Sequence, residues 1–118
     1  SVTDPVAVEL HELCGAVLQY YAATGSLPAT LAPLGRRLYG EKEGEKKVAP
    51  YRYFNPPLPL AGRPGSLLVL APREPGLTLR GKPARWAILI SPIKPGSPLT
   101  TQVVRVWEEE VRSALQKP

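Results

Sequence analysis

Residues 10–34 of the chain read LHELCGAVLQYYAATGSLPATLAPL. Six of their side chains recur at the 3.6-residue spacing of one helix face: Leu10, Leu13, Cys14, Val17, Leu18 and Tyr21. Gly25 stands where the residue that ends a helix adopts a positive φ. Pro28 suits the first position of a second helix, over residues 28–35. The buried side of that short helix is predicted to consist of Leu27, Leu31 and Leu34.

The first helix is predicted within residues 1–24, and its helical pattern extends to about Ala23. Either Thr3 or Asp4 can accept hydrogen bonds from its free N–H groups, and Pro5 follows in the first turn. Glu9 and Glu12 lie on its polar side.

Residues 50–91 are predicted to form antiparallel strands joined by proline-rich loops. The strand candidates are 51–55, 66–71 and 84–91, with 77–79 as a further short one. No helical pattern separates them, which favours antiparallel pairing. Residues 56–59, PPLP, are predicted to be a stiff connection rather than a polyproline recognition segment. Residues 36–47 are polar, contain two glycines and predict an exposed loop.

The end of the chain is open to two interpretations. Val103, Val104, Trp107, Val111 and Leu115 recur at helical spacing, and Glu108 and Arg112 form a favourable i, i+4 pair. These observations predict a helix over 101–116. Residues 100–106, TTQVVRV, are rich in β-branched side chains and could instead form a strand before a shorter helix. The favoured fold class is α+β, in which an N-terminal helix packs on a small antiparallel sheet of three to four strands, followed by a C-terminal helix.

Composition indicates a single domain over residues 1–118, with 43% hydrophobic and 21% charged residues. The net charge of +5 is uneven, because residues 36–94 contain twelve of the fifteen basic side chains and four of the ten acidic ones. A basic middle can contact acidic partners. The basic residues are scattered among prolines, without an aromatic platform, so nucleic acid is not expected as a partner.

No combination of residues predicts catalysis, a cofactor or a metal site. His11 and Cys14 are neighbours on one helix, but a zinc site needs three or four ligands, and the chain has no other His or Cys and no Asp besides Asp4. Cys14 is therefore predicted to be a buried thiol. A single His cannot serve a serine triad. Glu108, Glu109 and Glu110 are consecutive on a helix and point in different directions.

The remaining large side chains are predicted to lie in the core or at its edge. They are Tyr20, Tyr21, Tyr39, Tyr51, Tyr53, Trp86 and Trp107.

The opening segment resembles the soluble domains of the type IV pilin-like family, and most closely the pseudopilins of type II secretion systems. Its pattern is A-x-x-x-Y-Y-x-x-x-G-x-L-P-x-x-L-x-x-L. The matching residues are Ala16, Tyr20, Tyr21, Gly25, Leu27, Pro28, Leu31 and Leu34. Residues 50–53, PYRY, are similar to the first strand of the family, so the resemblance covers about residues 10–54.

The resemblance implies a structural subunit of a secretion or pilus-type fibre, with protein transport as its role and other protein subunits as partners. An apolar segment before Ser1 would anchor the full-length form in a bacterial inner membrane, with this domain on the periplasmic or extracellular face. Two departures favour a minor or divergent member: no acidic calcium-binding loop, since Asp4 is the only Asp, and a C-terminal helix. The alternative is a small soluble binding module or accessory subunit, cytoplasmic, that contacts acidic partners through its basic middle.

Overall fold

The computed structural model describes residues 4–116. Helices and strands follow one another in the order α1 (Pro5–Thr24), α2 (Ala32–Tyr39), α3 (Gly44–Val48), β1 (Tyr51–Pro59), β2 (Leu67–Pro72), β3 (Leu77–Leu79), β4 (Lys82–Ile90), β5 (Thr101–Trp107) and α4 (Glu108–Gln116). The predicted α+β class is confirmed, with antiparallel pairing throughout the sheet.

Helix α1 begins and ends at the residues that the sequence indicates. The Asp4 side chain accepts a hydrogen bond from the Val6 N–H at 2.8 Å, and Pro5 occupies the first turn. Gly25 adopts φ 75° and donates its N–H to the Tyr21 carbonyl at 2.7 Å. Thr3, the other candidate cap, lies outside the described residues, as do the other residues before Asp4.

The prediction of a short helix over 28–35 is wrong in its bounds, because α2 runs from Ala32 to Tyr39. Pro33 occupies the first turn instead of Pro28. The reason is a long-range contact: β1 side chains bind the Pro28 carbonyl and hold this residue in the connection between α1 and α2. The leucines nevertheless point inward, since Leu31 and Leu34 are buried and Leu27 is half-buried.

The exposed loop predicted over residues 36–47 is also corrected, since it contains the end of α2 and most of α3. Two glycines allow the two helices to touch backbone to backbone. A Cβ at Gly44 would lie 2.4 Å from the Arg36 Cα, and one at Gly35 would lie 2.6 Å from the Gly44 carbonyl oxygen. The polar pattern correctly indicates the outer surface, but this close approach depends on the tertiary fold.

Within residues 4–116 the sheet has five strands, one more than the predicted three to four. β4 is central and pairs with β2, β3 and β5. Among the described strands, β1 pairs only with β2 and forms an edge. Residues 56–59 are not a loop, since β1 continues through them to Pro59, with a register irregularity between Tyr53 and Leu58. Proline is tolerated on an edge strand because an edge strand need not donate from every N–H.

The helix predicted from residue 101 is wrong for its first seven residues, which form β5. β5 pairs with β4 from Thr101 opposite Ile90 to Trp107 opposite Ala84. The β-branched alternative is therefore the observed one, because β-branched side chains suit the pleated surface and β4 offers a free edge. The C-terminal helix α4 then begins at Glu108, and the predicted pair of Glu108 with Arg112 is present at 3.6 Å.

Helices cover both faces of the sheet. α1 and α2 pack on one face, where Leu10, Leu13 and Val17 are fully buried. α4 packs on the other face against a cluster that contains Leu89 and Val106. Burial of each such side chain contributes about 1.5–3 kcal/mol, so both helix–sheet contacts are substantial.

Candidate functional site

The two stretches that carry the family resemblance contact each other at the Pro28 carbonyl. Tyr53, in the first strand, donates its hydroxyl to this carbonyl at 2.6 Å. Asn55 donates its side-chain amide to the same oxygen at 3.1 Å. Burial raises the pKa of Tyr53 to about 12, so the hydroxyl keeps the proton that it donates at neutral pH. The connection after α1 is therefore bound to β1 by two side chains.

A second polar contact joins α1 to the elements that follow it. Glu9 accepts a hydrogen bond from the Tyr51 hydroxyl and lies 3.5 Å from the Lys47 Nζ. Glu12 accepts from the Tyr39 hydroxyl at 3.1 Å. The pKa values of Tyr39 and Tyr51 are raised, mainly by burial and secondly by these hydrogen bonds to glutamates. The polar side of α1 is thus occupied by structural contacts with α2, α3 and β1.

The first residue of the described chain fastens α1 to the central strand. Asp4 accepts a hydrogen bond from the Trp86 indole N–H at 3.0 Å, in addition to its bond with Val6. These two donors, the indole first, hold the pKa of Asp4 below its ordinary value. The orientation of α1 across the sheet is therefore determined at this end by a side-chain contact with β4.

On the opposite face, each of the three consecutive glutamates binds a different basic side chain. Glu108 binds Arg85, Glu109 lies 3.3 Å from Lys82, and Glu110 accepts from the Arg63 Nε at 3.0 Å. Glu110 also accepts the Trp107 N–H at 3.0 Å, which caps the start of α4. These residues are therefore distributed over three ion pairs, rather than converging as an acid–base pair.

Arg85 is the feature of this face that sequence reasoning missed. It is only 7% exposed, and besides Glu108 it donates to the carbonyls of Pro72 at 2.7 Å and Arg73 at 3.1 Å. The sequence feature that could have indicated a buried charge is the position of this arginine within the apolar run 84–91. The identity of its partners depends on where β2 ends and α4 begins, which local sequence does not reveal.

The structure places the remaining candidate residues apart from any site. His11 is exposed, with its Nδ1 2.8 Å from the Ala7 carbonyl, whereas Cys14 is buried as predicted. Within residues 4–116, no three His, Cys, Asp or Glu side chains lie together as a metal site would require. Of the seven Tyr and Trp side chains, Tyr51 is buried. The other six are half-buried: Tyr20, Tyr21, Tyr39, Tyr53, Trp86 and Trp107.

Two of the concave regions in residues 4–116 are lined by more than one charged side chain. One, of about 390 Å³, lies beside α4 and is lined by Glu108, Glu109 and Lys82, which are already paired with one another or with Arg85. The other, of about 450 Å³, runs along the outer edge of β1 and is lined by Arg52 and Arg73 together with uncharged residues. The second region therefore has charges that are available to a partner.

Comparisons of the chain with protein-family models, with curated proteins and with solved structures find no match. Among the helices of residues 4–116, none combines the length and apolar character that crossing a bilayer demands.

Proposed function

We propose that the protein is a non-enzymatic structural subunit, similar to a pseudopilin or minor pilin, of a secretion-type or pilus-type fibre. The observation that carries the proposal is the contact of the Pro28 carbonyl with Tyr53 and Asn55. It gives the two separate stretches of the resemblance one shared structural role, which is to seat the end of α1 on the first strand.

The arrangement of α1 supports the same proposal. The helix packs across one face of an antiparallel sheet, as the resemblance implies, and its beginning is held by Asp4 and Trp86. Its first turns also present Val8, which is 43% exposed. An apolar side chain at this end of α1 is suitably placed to contact a neighbouring subunit. In this proposal the full-length protein is anchored in a bacterial inner membrane, and this domain lies on its periplasmic or extracellular side.

The coding sequence before Ser1 is the most direct test. We expect it to encode a prepilin leader with its cleavage site, followed by about twenty apolar residues, the length that spans a bilayer. In cells that lack the prepilin peptidase, the protein should then migrate as a longer, uncleaved form. An initiation codon immediately before the codon of Ser1 would refute the proposal.

Assembly can be tested with a matched pair of substitutions in the full-length protein. Val8→Asp places a charge at the exposed start of α1, and Leu115→Asp does so on α4, on the other face of the sheet, at a residue that is 40% exposed. We expect Val8→Asp to reduce chemical cross-linking to other subunits in native cells at least fivefold, and Leu115→Asp to leave it within twofold. Equal cross-linking of both variants and the parent would contradict a role for α1 in assembly.

A further inference from the structure

The outer edge of β1 has main-chain groups that do not pair with any other described strand. β1 pairs only with β2, with Tyr51 opposite Pro72 and Tyr53 opposite Leu70. The Arg73 N–H donates to the Pro50 carbonyl at 2.9 Å, so Pro50 and Arg73 form a hydrogen-bonded pair. The neighbouring pair, Tyr51 with Pro72, is therefore a non-hydrogen-bonded one. Because such pairs alternate along an antiparallel ladder, the N–H and C=O of Tyr51 and Tyr53 both point away from β2.

This edge borders the 450 Å³ groove rather than another element. The groove is bounded by the α1–α2 connection at Thr30, by Ala49 at the end of α3, and by β1 itself. Within residues 4–116, no backbone or side-chain group outside the β1–β2 ladder forms a hydrogen bond with the main chain of Tyr51 or Tyr53. From Tyr51 to Asn55 the edge is about 17 Å long, at about 3.4 Å per residue.

The charge of the groove indicates the kind of partner. Arg52 and Arg73 line it, and no acidic residue does. Neither arginine has a carboxylate within 4.0 Å among the described residues. Both are held in place, since Arg52 lies 4.9 Å from the centre of the Phe54 ring and the Arg73 Nε donates to the Ala49 carbonyl at 2.9 Å. The guanidinium groups are therefore preorganised for carboxylates.

We propose that the β1 edge from Tyr51 to Asn55 binds an extended, acidic segment of a partner protein by β-strand addition. The main-chain groups of Tyr51 and Tyr53 supply hydrogen bonds that do not depend on the partner's sequence, and Arg52 and Arg73 select carboxylates. A second copy of this chain fits less well, because pairing two β1 edges would bring two sets of arginines together. The inference stands on the sheet edge and holds whether or not the chain is a pilin-like subunit.

Three capped peptides of one length separate the two components of the proposal. Peptide TEVEVET carries both features, TKVKVKT reverses the charge, and TEPEPET keeps the charge but lacks N–H groups needed for strand pairing. Measured by fluorescence anisotropy with labelled peptides, we expect TEVEVET to bind at least tenfold more tightly than either control. Equal binding of TEVEVET and TEPEPET would overturn strand addition, and equal binding of TEVEVET and TKVKVKT would overturn the acidic preference.

Variants of the protein test the location. Arg52→Glu should weaken TEVEVET binding at least tenfold, whereas Lys94→Glu, an identical charge change on the exposed β4–β5 connection, should alter it less than twofold. If Arg52→Glu does not fold, Arg52→Gln and Arg73→Gln provide milder tests, each expected to weaken binding at least threefold. Equal effects of Arg52→Glu and Lys94→Glu would show that the peptide binds through net charge alone.

Amide hydrogen exchange provides a readout at single residues. In the free protein the backbone amides of Tyr51 and Tyr53 should exchange faster than the backbone amide of Arg52, because the Arg52 N–H points toward β2. Saturating TEVEVET should slow exchange at Tyr51 and Tyr53 at least tenfold and leave Thr78 unchanged. Protection elsewhere, concentration-dependent dimerisation through this edge, or displacement of TEVEVET by single-stranded oligothymidine at an equal concentration would overturn the proposal.

Discussion

Replacement of Arg85 by methionine tests the most deeply buried charge among residues 4–116. The side chain binds Glu108, which is 12% exposed, and also donates to the carbonyls of Pro72 and Arg73. Removal of one partner of a buried ion pair costs about 3–5 kcal/mol, since the other charge is left uncompensated. Arg112 lies 3.6 Å from Glu108 and is 74% exposed, so it compensates only in part. We therefore expect a loss of about 3 kcal/mol in the free energy of unfolding.

Urea denaturation followed by circular dichroism measures this loss as a lower midpoint at an unchanged m-value. Arg105→Met on β5 is the matched control, because Arg105 is exposed and lacks a carboxylate partner among the described residues; its cost should stay within about 0.5 kcal/mol. The double variant Arg85→Met with Glu108→Met should recover at least about 1 kcal/mol of the loss, because it no longer buries an unpaired charge. A cost below about 1 kcal/mol for Arg85→Met, or strict additivity in the double variant, would show that the Arg85–Glu108 pair does not stabilise the fold in this way.

Three further predictions concern helix α1 and Tyr53 of β1. In the same urea assay, Gly15→Ala should stabilise the protein by about 0.5–1 kcal/mol and Gly25→Ala should destabilise it by about 1–2 kcal/mol. A Cβ has open space at both positions, but only Gly25 has a positive φ, of 75°. Effects of equal sign would contradict this prediction. The pKa of Asp4 is lower in the folded protein than its ordinary value of 3.8. The contribution of Asp4 to stability is therefore complete above pH 3.8 and is lost as the pH falls through the folded pKa. Asp4→Asn should flatten that part of the profile of melting temperature against pH. The raised pKa of Tyr53 has the opposite sign, so its contribution is complete below pH 10 and is lost as the pH rises through about 12, and Tyr53→Phe should give a shallower alkaline decline than the parent protein.

The candidate site was predictable only in part. The single His and the single Cys, which are counted directly in the sequence, predict that the chain has no catalytic or metal site, and this stays a prediction. The basic character of residues 36–94 was also evident, but the sequence did not reveal which of their arginines form ion pairs. Arg63 and Arg85 are bound to glutamates of α4, whereas Arg52 and Arg73 line the β1 groove. Ion pairing between residues more than twenty positions apart depends on the fold.

Elements with local signals could be predicted from the residues of their own segment. Helix α1, its cap at Asp4 and its end at Gly25 follow from periodicity and backbone preference within one segment. The tertiary structure alone decided the start of α2, which is displaced by the contact of Pro28 with Tyr53, and the conformation of residues 101–107. That last segment has both helical spacing and β-branched side chains, and it is a strand because β4 offers an unpaired edge that only the assembled sheet creates.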